Sequence, residues 1–226
     1  MTVFVLPSPV RSERYRELSE ENSDCRPIVE IRNLLHNVSG PLATQSLSTS
    51  SNQTIASGFL PLSLSFGPDG VALLKSIEQL RLKPYDDQTG KDITAWVAGA
   101  TIGYGHLIAK GEWKSYKKGI SEKDADALFD ADLAPFVDCV RNTITVGLQQ
   151  HQFDALVIFA FNIGIRGFKG SSVVRMINDP TTKTGYATLE GAWKSWNKSQ
   201  GKVNKGLVNR RDAEWNIYNS ASYSRW

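Results

Sequence analysis

The chain has 226 residues, of which 41% are hydrophobic, 22% charged and 10% aromatic. This length corresponds to one or two domains, on a prior of roughly 100–200 residues per domain, with enough apolar side chains for a core. No run of about 18 apolar residues occurs, so we expect no membrane-spanning helix. A net charge of +3 is too small to indicate a nucleic-acid-binding protein. The two cysteines and three histidines show no metal-ligand spacing, which predicts no metal site.

The first part of the chain differs in composition from the rest. The segment from Asn33 to Pro68 contains no Asp, Glu, Lys or Arg and is rich in Ser and Thr. Because such a segment buries too little apolar surface to offset its ordering entropy, we predict a Ser/Thr-rich linker over residues 39–66. Residues 1–38 carry two short helix-like patterns and are predicted to be a short helical N-terminal extension. Met1 to Pro9 lacks a basic segment, so we expect synthesis in the cytoplasm without a signal peptide.

Residues 67–226 are predicted to form one folded domain. Apolar residues at helical spacing predict a helix over Gly70–Leu82, which Lys83-Pro84 is expected to end. The turn residues and short β-like runs that follow predict a small antiparallel sheet. From Ser121 onward the pattern is helical, with a predicted bend near Pro135. The predicted fold class is therefore α+β, predominantly α, with an N-terminal helix, a small sheet and a helical bundle.

Two acidic positions lie near the end of the first predicted helix. Glu78 follows the apolar Ile77 directly, so it lies at the border of the buried face, where partial desolvation favours the protonated form of a carboxyl. Asp87 comes nine residues later, after the chain has turned back, and can face Glu78. Two opposed carboxyl groups in different environments are what cleavage of a glycosidic bond requires. The structural alternatives are a solvated helix Glu and an Asp that serves a turn.

The stretch from Glu78 to Asp87, followed by Thr-Ile-Gly-Tyr-Gly-His at 101–106, resembles the signature of the phage-type lysozymes, glycoside hydrolase family 24. The resemblance continues through Phe-Asn-Ile-Gly at 161–164 and Gly-Leu-Val-Asn-Arg-Arg at 206–211, and covers about residues 67–226. It implies a lysozyme-like fold, with Glu78 as general acid, Asp87 as second carboxylate and Thr101 positioning the attacking water. It also implies substrate contacts at three further residues: Asn162, Gly103 and Tyr104. An ordinary strand residue at 101 and a helix-end cap at 162 are the alternatives.

One stretch departs from the compact family pattern. The segment between Asp87 and Thr101 is longer than in the shortest members, and we expect it to lengthen the hairpin at the cleft rim, with Trp96 packing over it. Other conspicuous side chains are expected to be structural, in the core, in salt bridges or as a hydrogen-bonding group at the sheet edge: Trp193, Trp196, Arg210, Arg211 and His106.

The resemblance implies a muramidase that hydrolyses the β-1,4 bond between N-acetylmuramic acid and N-acetylglucosamine in peptidoglycan, with inversion and without a metal or cofactor. The alternatives are a lytic transglycosylase, a secreted antibacterial effector and an inactive cell-wall-binding protein. The substrate lies outside the cytoplasmic membrane, so an endolysin acting in the periplasm or cell wall would reach it through a holin, and an effector through a secretion apparatus. We expect a monomer that binds neither nucleic acid nor membrane stably. Deletion of residues 1–66 is expected to leave hydrolysis intact.

Overall fold

A computed structural model describes residues 60–226. The predicted N-terminal extension, 1–38, and residues 39–59 of the predicted linker lie outside the described residues. Helix α1 spans Pro68–Glu78, and three strands follow it: β1 (Arg81–Asp86), β2 (Ala100–Gly103) and β3 (His106–Leu107). The remainder is mainly helical, with one hairpin before the last helix: α2 (Trp113–Tyr116), α3 (Glu122–Thr143), α4 (Gln150–Ile163), α5 (Ile165–Gly170), α6 (Ser172–Asn178), α7 (Leu189–Lys194), β4 (Lys198–Ser199), β5 (Lys202–Val203) and α8 (Lys205–Ser220). This arrangement confirms the predicted α+β, predominantly α, fold class.

The three-stranded sheet is antiparallel, with strand order β1-β2-β3. Thr101 on the central strand pairs with Tyr85 on one side and with Leu107 on the other. Three side chains from this region form a small core of their own: Ala100, Ile102 and Ile108. We call the sheet together with this small core the sheet lobe, and the larger, mainly helical part the helical lobe.

Helix α1 ends four residues earlier than predicted. Its last residue is Glu78, and the next residue, Gln79, has a φ of 53° and a ψ of 122°, which no α-helix accommodates. The chain then enters β1, where Pro84 is tolerated because β1 is an edge strand and needs no second ladder of hydrogen bonds. The apolar spacing misled the prediction because Leu80, beyond the helix, is still half-buried.

Helix α3 is one continuous helix through Pro135, where a bend was predicted. It begins as expected, because the Ser121 hydroxyl accepts a hydrogen bond from the Asp124 amide at 3.1 Å. Its buried face includes Phe129, Phe136 and Val140. Burial of each such side chain contributes about 1.5–3 kcal/mol, so together they exceed the cost of about 3 kcal/mol for a proline inside a helix.

Helix α4 is the centre of the helical lobe. Every residue from Phe153 to Asn162 is buried, as expected for a helix that neighbouring elements surround on all sides. Trp193 is fully buried and Trp196 packs against the same core, which confirms the prediction for both. None of the helices within residues 60–226 is long and apolar enough to cross a membrane.

The packed domain begins before the predicted boundary at residue 67. Leu64 is only 7% exposed and belongs to the large core, and Phe66 packs against that core. Two side chains of the helical lobe also hold this segment, because Arg141 donates to the Leu64 carbonyl and Gln150 to the Ser65 carbonyl, each at 2.8 Å. Residues 61–66 therefore belong to the folded part of the chain, although their composition resembles that of the segment before them.

Candidate active site

Glu78 is the half-buried last residue of α1, and contacts at both ends of the helix hold it in place. At the N-terminus, the buried carboxylate of Asp154 accepts a hydrogen bond from the Gly67 amide at 2.8 Å. One turn before Glu78, the Lys75 ammonium lies 2.7 Å from a carboxylate oxygen of Asp126 on α3. The predicted general acid is therefore carried by a helix anchored to both α4 and α3.

Tyr104, predicted to contact substrate, is half-buried beside the Lys75–Asp126 ion pair that joins α1 to α3. Its ring meets Phe129 edge to face at 5.3 Å, and the Lys75 ammonium lies 5.2 Å from its centroid. Burial, then the neighbouring Asp126 carboxylate, which accepts a hydrogen bond from the Tyr104 hydroxyl, raise the pKa of Tyr104. The Tyr104 side chain thus links the turn after β2 to the helix that carries Glu78.

Asp87 and Thr101 converge on a single backbone carbonyl. The Asp87 amide donates to the Gly99 oxygen at 3.0 Å, and the Thr101 hydroxyl donates to the same oxygen at 2.9 Å. Gly99 has a φ of 129°, a conformation that favours glycine. The structure therefore brings the backbone of Asp87 and the side chain of Thr101 to one carbonyl, at the end of β1 and the start of β2.

The hydrogen bond to the Gly99 carbonyl determines which further hydrogen bonds the Thr101 hydroxyl can form. A threonine hydroxyl has one proton to donate and two lone pairs, and here the proton is directed to Gly99. The Thr101 oxygen can accept a hydrogen bond from a water molecule, as a carboxylate does. Thr101 is only 1% exposed, so such a water would have to be enclosed by the site.

Asp86, the neighbour of Asp87 in the chain, forms hydrogen bonds within the turn after β1. The Asp86 carboxylate accepts hydrogen bonds from the Gln88 amide at 3.0 Å and the Thr89 hydroxyl at 2.9 Å. It therefore stabilises the turn that leaves β1, the structural role that was the alternative for Asp87. Asp87 is half-buried and follows β1 directly, beside the Thr101 strand.

Asn162 and Gly103, both predicted to contact substrate, are buried residues. Asn162 lies at the end of α4, 7% exposed, and its side-chain oxygen accepts a hydrogen bond from Arg211 at 2.5 Å. Gly103 has a φ of 66°, and a Cβ atom there would lie 3.5 Å from the Ala125 Cβ on α3. Gly103 thus allows a left-handed turn, whereas a Cβ atom at this position would make only an ordinary contact with α3.

The Asn162 amide is held by a buried ionic cluster. Arg210 and Arg211 both donate to Glu214 at 2.9 Å, and Trp193 donates to the same carboxylate at 3.1 Å. Burial lowers the pKa of Arg211 to about 10, so its guanidinium remains charged at neutral pH. This arrangement confirms the predicted salt-bridge positions of both arginines, and it orients the Asn162 side chain through its oxygen.

His106 is a structural group at the sheet edge, as predicted. Its Nδ1 lies 3.1 Å from both carboxylate oxygens of Asp132 on α3. Burial alone would lower the pKa of His106, but the hydrogen bond to Asp132, the Asp132 charge and the Glu112 charge together raise it above 6.5. The pair ties β3 to α3 most strongly when the imidazole is protonated.

The long segment between Asp87 and Thr101 packs on the sheet lobe. The Trp96 indole N–H donates to the Ile108 carbonyl at 2.9 Å, and Trp96 and Ile93 pack against the small core. The predicted packing of Trp96 is thereby confirmed. The segment is anchored by its own side chains, which holds Gly99 and its carbonyl at the site.

Sequence reasoning missed the Gly99 carbonyl, the backbone conformation of Gln79 and the anchoring of Asn162. None of these had a local signal; the spacing of Arg210 and Arg211 before Glu214 indicates helical ion pairs but not their contact with Asn162. Among residues 60–226, no group of three or more His, Cys, Asp or Glu side chains could hold a metal ion.

Comparison with known proteins was made at both the sequence and the structural level. The family described as Phage lysozyme matches residues 75–214. The endolysin of Bacillus phage PZA is 40% identical over 154 residues, which are 68% of this chain and 54% of that protein. The chain thus spans about half the length of that relative, and likewise 52% of the endolysin of Bacillus phage B103.

Two solved structures share the architecture. An endolysin from the Escherichia coli O157:H7 phage FAHEc1 superimposes with a TM-score of 0.56 at 29% identity, covering 72% of this chain and 98% of that one. The muramidase domain of SpmX from Asticaccaulis excentricus superimposes with a TM-score of 0.53 at 33% identity, covering 70% and 99%.

Proposed function

This chain belongs to the phage lysozyme family, and we propose that it is a muramidase that hydrolyses the β-1,4 bond between N-acetylmuramic acid and N-acetylglucosamine in peptidoglycan. The observation that carries the proposal is the convergence of the Asp87 amide and the Thr101 hydroxyl on the Gly99 carbonyl. This convergence supports the proposal that Asp87 and Thr101 act together, because the backbone of one and the side chain of the other share one acceptor. The anchored helix that ends at Glu78 supplies the second carboxyl.

In the proposed reaction, Glu78 donates its proton to the glycosidic oxygen as the bond to the anomeric carbon breaks. Asp87 accepts a proton from a water molecule, and the oxygen of that water attacks the anomeric carbon from the opposite face. The Thr101 oxygen accepts a hydrogen bond from the other O–H of the water, which stays intact, since the Thr101 proton is directed to Gly99. The result is inversion at the anomeric carbon, and acid, base and water suffice without a cofactor.

Three further residues are proposed to help bind substrate, either by donating a hydrogen bond or by shaping the turn beside Thr101: Asn162, Gly103 and Tyr104. Each is buried or half-buried and engaged with other parts of the protein. With the Asn162 oxygen accepting from Arg211, its amide nitrogen is the part that can donate to a sugar. Gly103 and Tyr104 shape the turn that follows Thr101 and hold it against α3.

The biological setting belongs to the same proposal. The names of the relatives favour an endolysin that acts on the cell wall, made in the host cytoplasm and released by a holin for host lysis. A secreted effector that crosses through a secretion apparatus would use the same chemistry. A monomer is proposed, because one cleft acting on a polymer needs no second subunit.

The proposal is tested by the release of soluble fragments from purified peptidoglycan. Glu78→Gln removes the proton donor with little change in shape, and Asp87→Asn removes the base, so each should lower the rate at least about 100-fold. Asp86→Asn is the matched control, since its side-chain oxygen can still accept from the Gln88 amide, and it should retain most activity. Equal losses for the two adjacent aspartates would contradict the assignment of Asp87.

A further inference from the structure

A row of lysines covers one side of the helical stretch that follows the sheet. Lys110, Lys114, Lys117 and Lys118 are all exposed, and we call them the lysine face. A 3-10 turn, Lys110–Glu112, runs directly into α2, and the backbone remains helical at Lys117. The spacing of four, three and one residues therefore places these side chains along one side of the stretch.

The opposite side of the stretch is apolar and packed. Trp113, Tyr116 and Ile120 pack against the small core of the sheet lobe. The acidic residue of the stretch, Glu112, accepts a hydrogen bond from the Ala109 amide at 3.1 Å and thus serves the start of the 3-10 turn. The fold consequently presents the lysines to solvent and keeps their acidic neighbour at the turn.

The lysine face is set apart by clustering, because four lysines lie within nine residues. Within residues 60–226, none of these four forms an ion pair with an acidic side chain, whereas Lys75, Arg81, Arg141 and Lys194 each do. Lysines three and four residues apart repel each other on a helical surface, so the arrangement costs stability that no ion pair offsets.

The lysine face adjoins the proposed active site. Leu107, the partner of Thr101 in the sheet, lies three residues before Lys110. The Lys110 ammonium lies 5.7 Å from the ring centroid of Trp96, which belongs to the segment between Asp87 and Thr101. A polymer bound beside Asp87 and Thr101 that continues across the sheet lobe would therefore meet the lysines.

We propose that the lysine face binds the carboxylates of the peptide side chains of peptidoglycan, alongside the glycan strand being cut. This inference rests on the proposed function. The face contains lysines and no arginine. An ammonium attracts a carboxylate as a point charge, whereas a guanidinium favours planar, bidentate partners. Lysines therefore suit carboxylates on flexible peptides, which have no fixed geometry. Solvent exposure of all four charges makes the attraction sensitive to salt.

The test measures binding to purified peptidoglycan in the Glu78→Gln background, where nothing is cut. Phosphate-bearing polymers are first removed from the wall with acid. Changing the four face lysines to Gln should weaken binding about tenfold or more at low ionic strength and reduce its dependence on salt. The matched control changes four other exposed lysines to Gln: Lys169, Lys183, Lys202 and Lys205. This control should bind within about twofold of the parent if position rather than net charge matters.

Two further binding measurements identify which part of peptidoglycan the lysine face contacts. On glycan strands from which an amidase has removed the peptides, the parent and the face variant should bind alike. Changing the four face lysines to Arg, which keeps their charge, should preserve binding to intact peptidoglycan. The proposal is overturned if the control variant binds as weakly as the face variant. It is also overturned if the parent and the face variant still differ in binding to peptide-free glycan, or if they differ only on walls that retain phosphate polymers. If the wild type hydrolyses peptidoglycan and the face variant binds normally, only the docking proposal fails. If the parent neither binds nor cuts, the proposed function fails with it.

Discussion

Tyr223 donates its hydroxyl to the buried carboxylate of Asp154 at 2.6 Å. The other oxygen of that carboxylate accepts from the amide of Gly67 and from the Gln150 side chain, each at 2.8 Å. One buried carboxylate on α4 thus holds the start of α1, the helix that ends at Glu78, and a residue beyond α8. Burial, followed by the Asp154 hydrogen bond, raises the pKa of Tyr223.

Tyr223→Phe removes one donor from this buried carboxylate while keeping the ring. A hydrogen bond to a charged group contributes about 1.5–3 kcal/mol, so we expect a loss of that order in the free energy of unfolding, measured by urea denaturation. Tyr186→Phe, at a tyrosine that is 40% exposed, serves as control and should change stability little. Equal stability of Tyr223→Phe and the wild type would contradict the anchoring of α1 through Asp154.

The pair formed by His106 and Asp132 should make stability depend on pH. Because the folded-state pKa of His106 is raised above 6.5, the contribution of the pair is fully present below the unfolded-state pKa, about 6.5, and is lost as pH rises through the folded-state value. Asp132→Asn should therefore destabilise the protein at pH 5 by about 1 kcal/mol, discounted for partial exposure. The effect should be much smaller at pH 9.

Thermal unfolding of the wild type and Asp132→Asn at both pH values measures this difference. His106→Asn should reproduce the pattern, and the double variant should be no less stable than either single variant at pH 5. A destabilisation that grows with rising pH would show that the charged imidazole is not what Asp132 stabilises.

Gln79 lies directly after Glu78 with a φ of 53° and a ψ of 122°. A non-glycine residue in such a conformation stores about 1–3 kcal/mol of strain, and glycine removes the steric part of it. Gln79→Gly should therefore raise the free energy of unfolding by about 1 kcal/mol. Gln79→Ala, which keeps a Cβ atom, should not, and equal gains for both variants would refute backbone strain at this position.

The length of the N-terminal deletion should matter for stability. Removal of residues 1–59 leaves every described contact intact, so the melting temperature should not fall. Removal of residues 1–66 also takes away Leu64, whose burial contributes about 1.5–3 kcal/mol, and the carbonyls bound by Arg141 and Gln150. The shorter deletion should therefore melt at a higher temperature than the longer one, and identical melting curves would show that residues 61–66 add nothing to the fold.

Much of the fold follows from local patterns in the sequence. The helical pattern from Ser121 onward was visible because capping and apolar periodicity are local properties. The end of α1 was not, since a left-handed backbone at Gln79 has no signature when the residue is not glycine. The continuity of α3 through Pro135 depends on burial of its neighbours, which the linear sequence does not display.

The candidate site was predictable to a smaller extent. Residue types and their placement predicted Glu78 and Asp87, and Thr101 was predicted through the resemblance to the phage-type lysozymes. The shared Gly99 carbonyl depends on strand pairing across a long segment, and the burial of Asn162 depends on Arg211, 49 residues further along. Such long-range contacts arise only when the chain is folded.

Mass spectrometry of the fragments released from purified peptidoglycan identifies both the bond that is cut and the way it is cut. We expect fragments that end in a reducing N-acetylmuramic acid with the wild type and no fragments with Glu78→Gln. Anhydro-muramyl ends would contradict this expectation, because they form without water and would make Asp87 and Thr101 structural residues of a lytic transglycosylase. No fragments from the wild type would contradict the assignment of a muramidase.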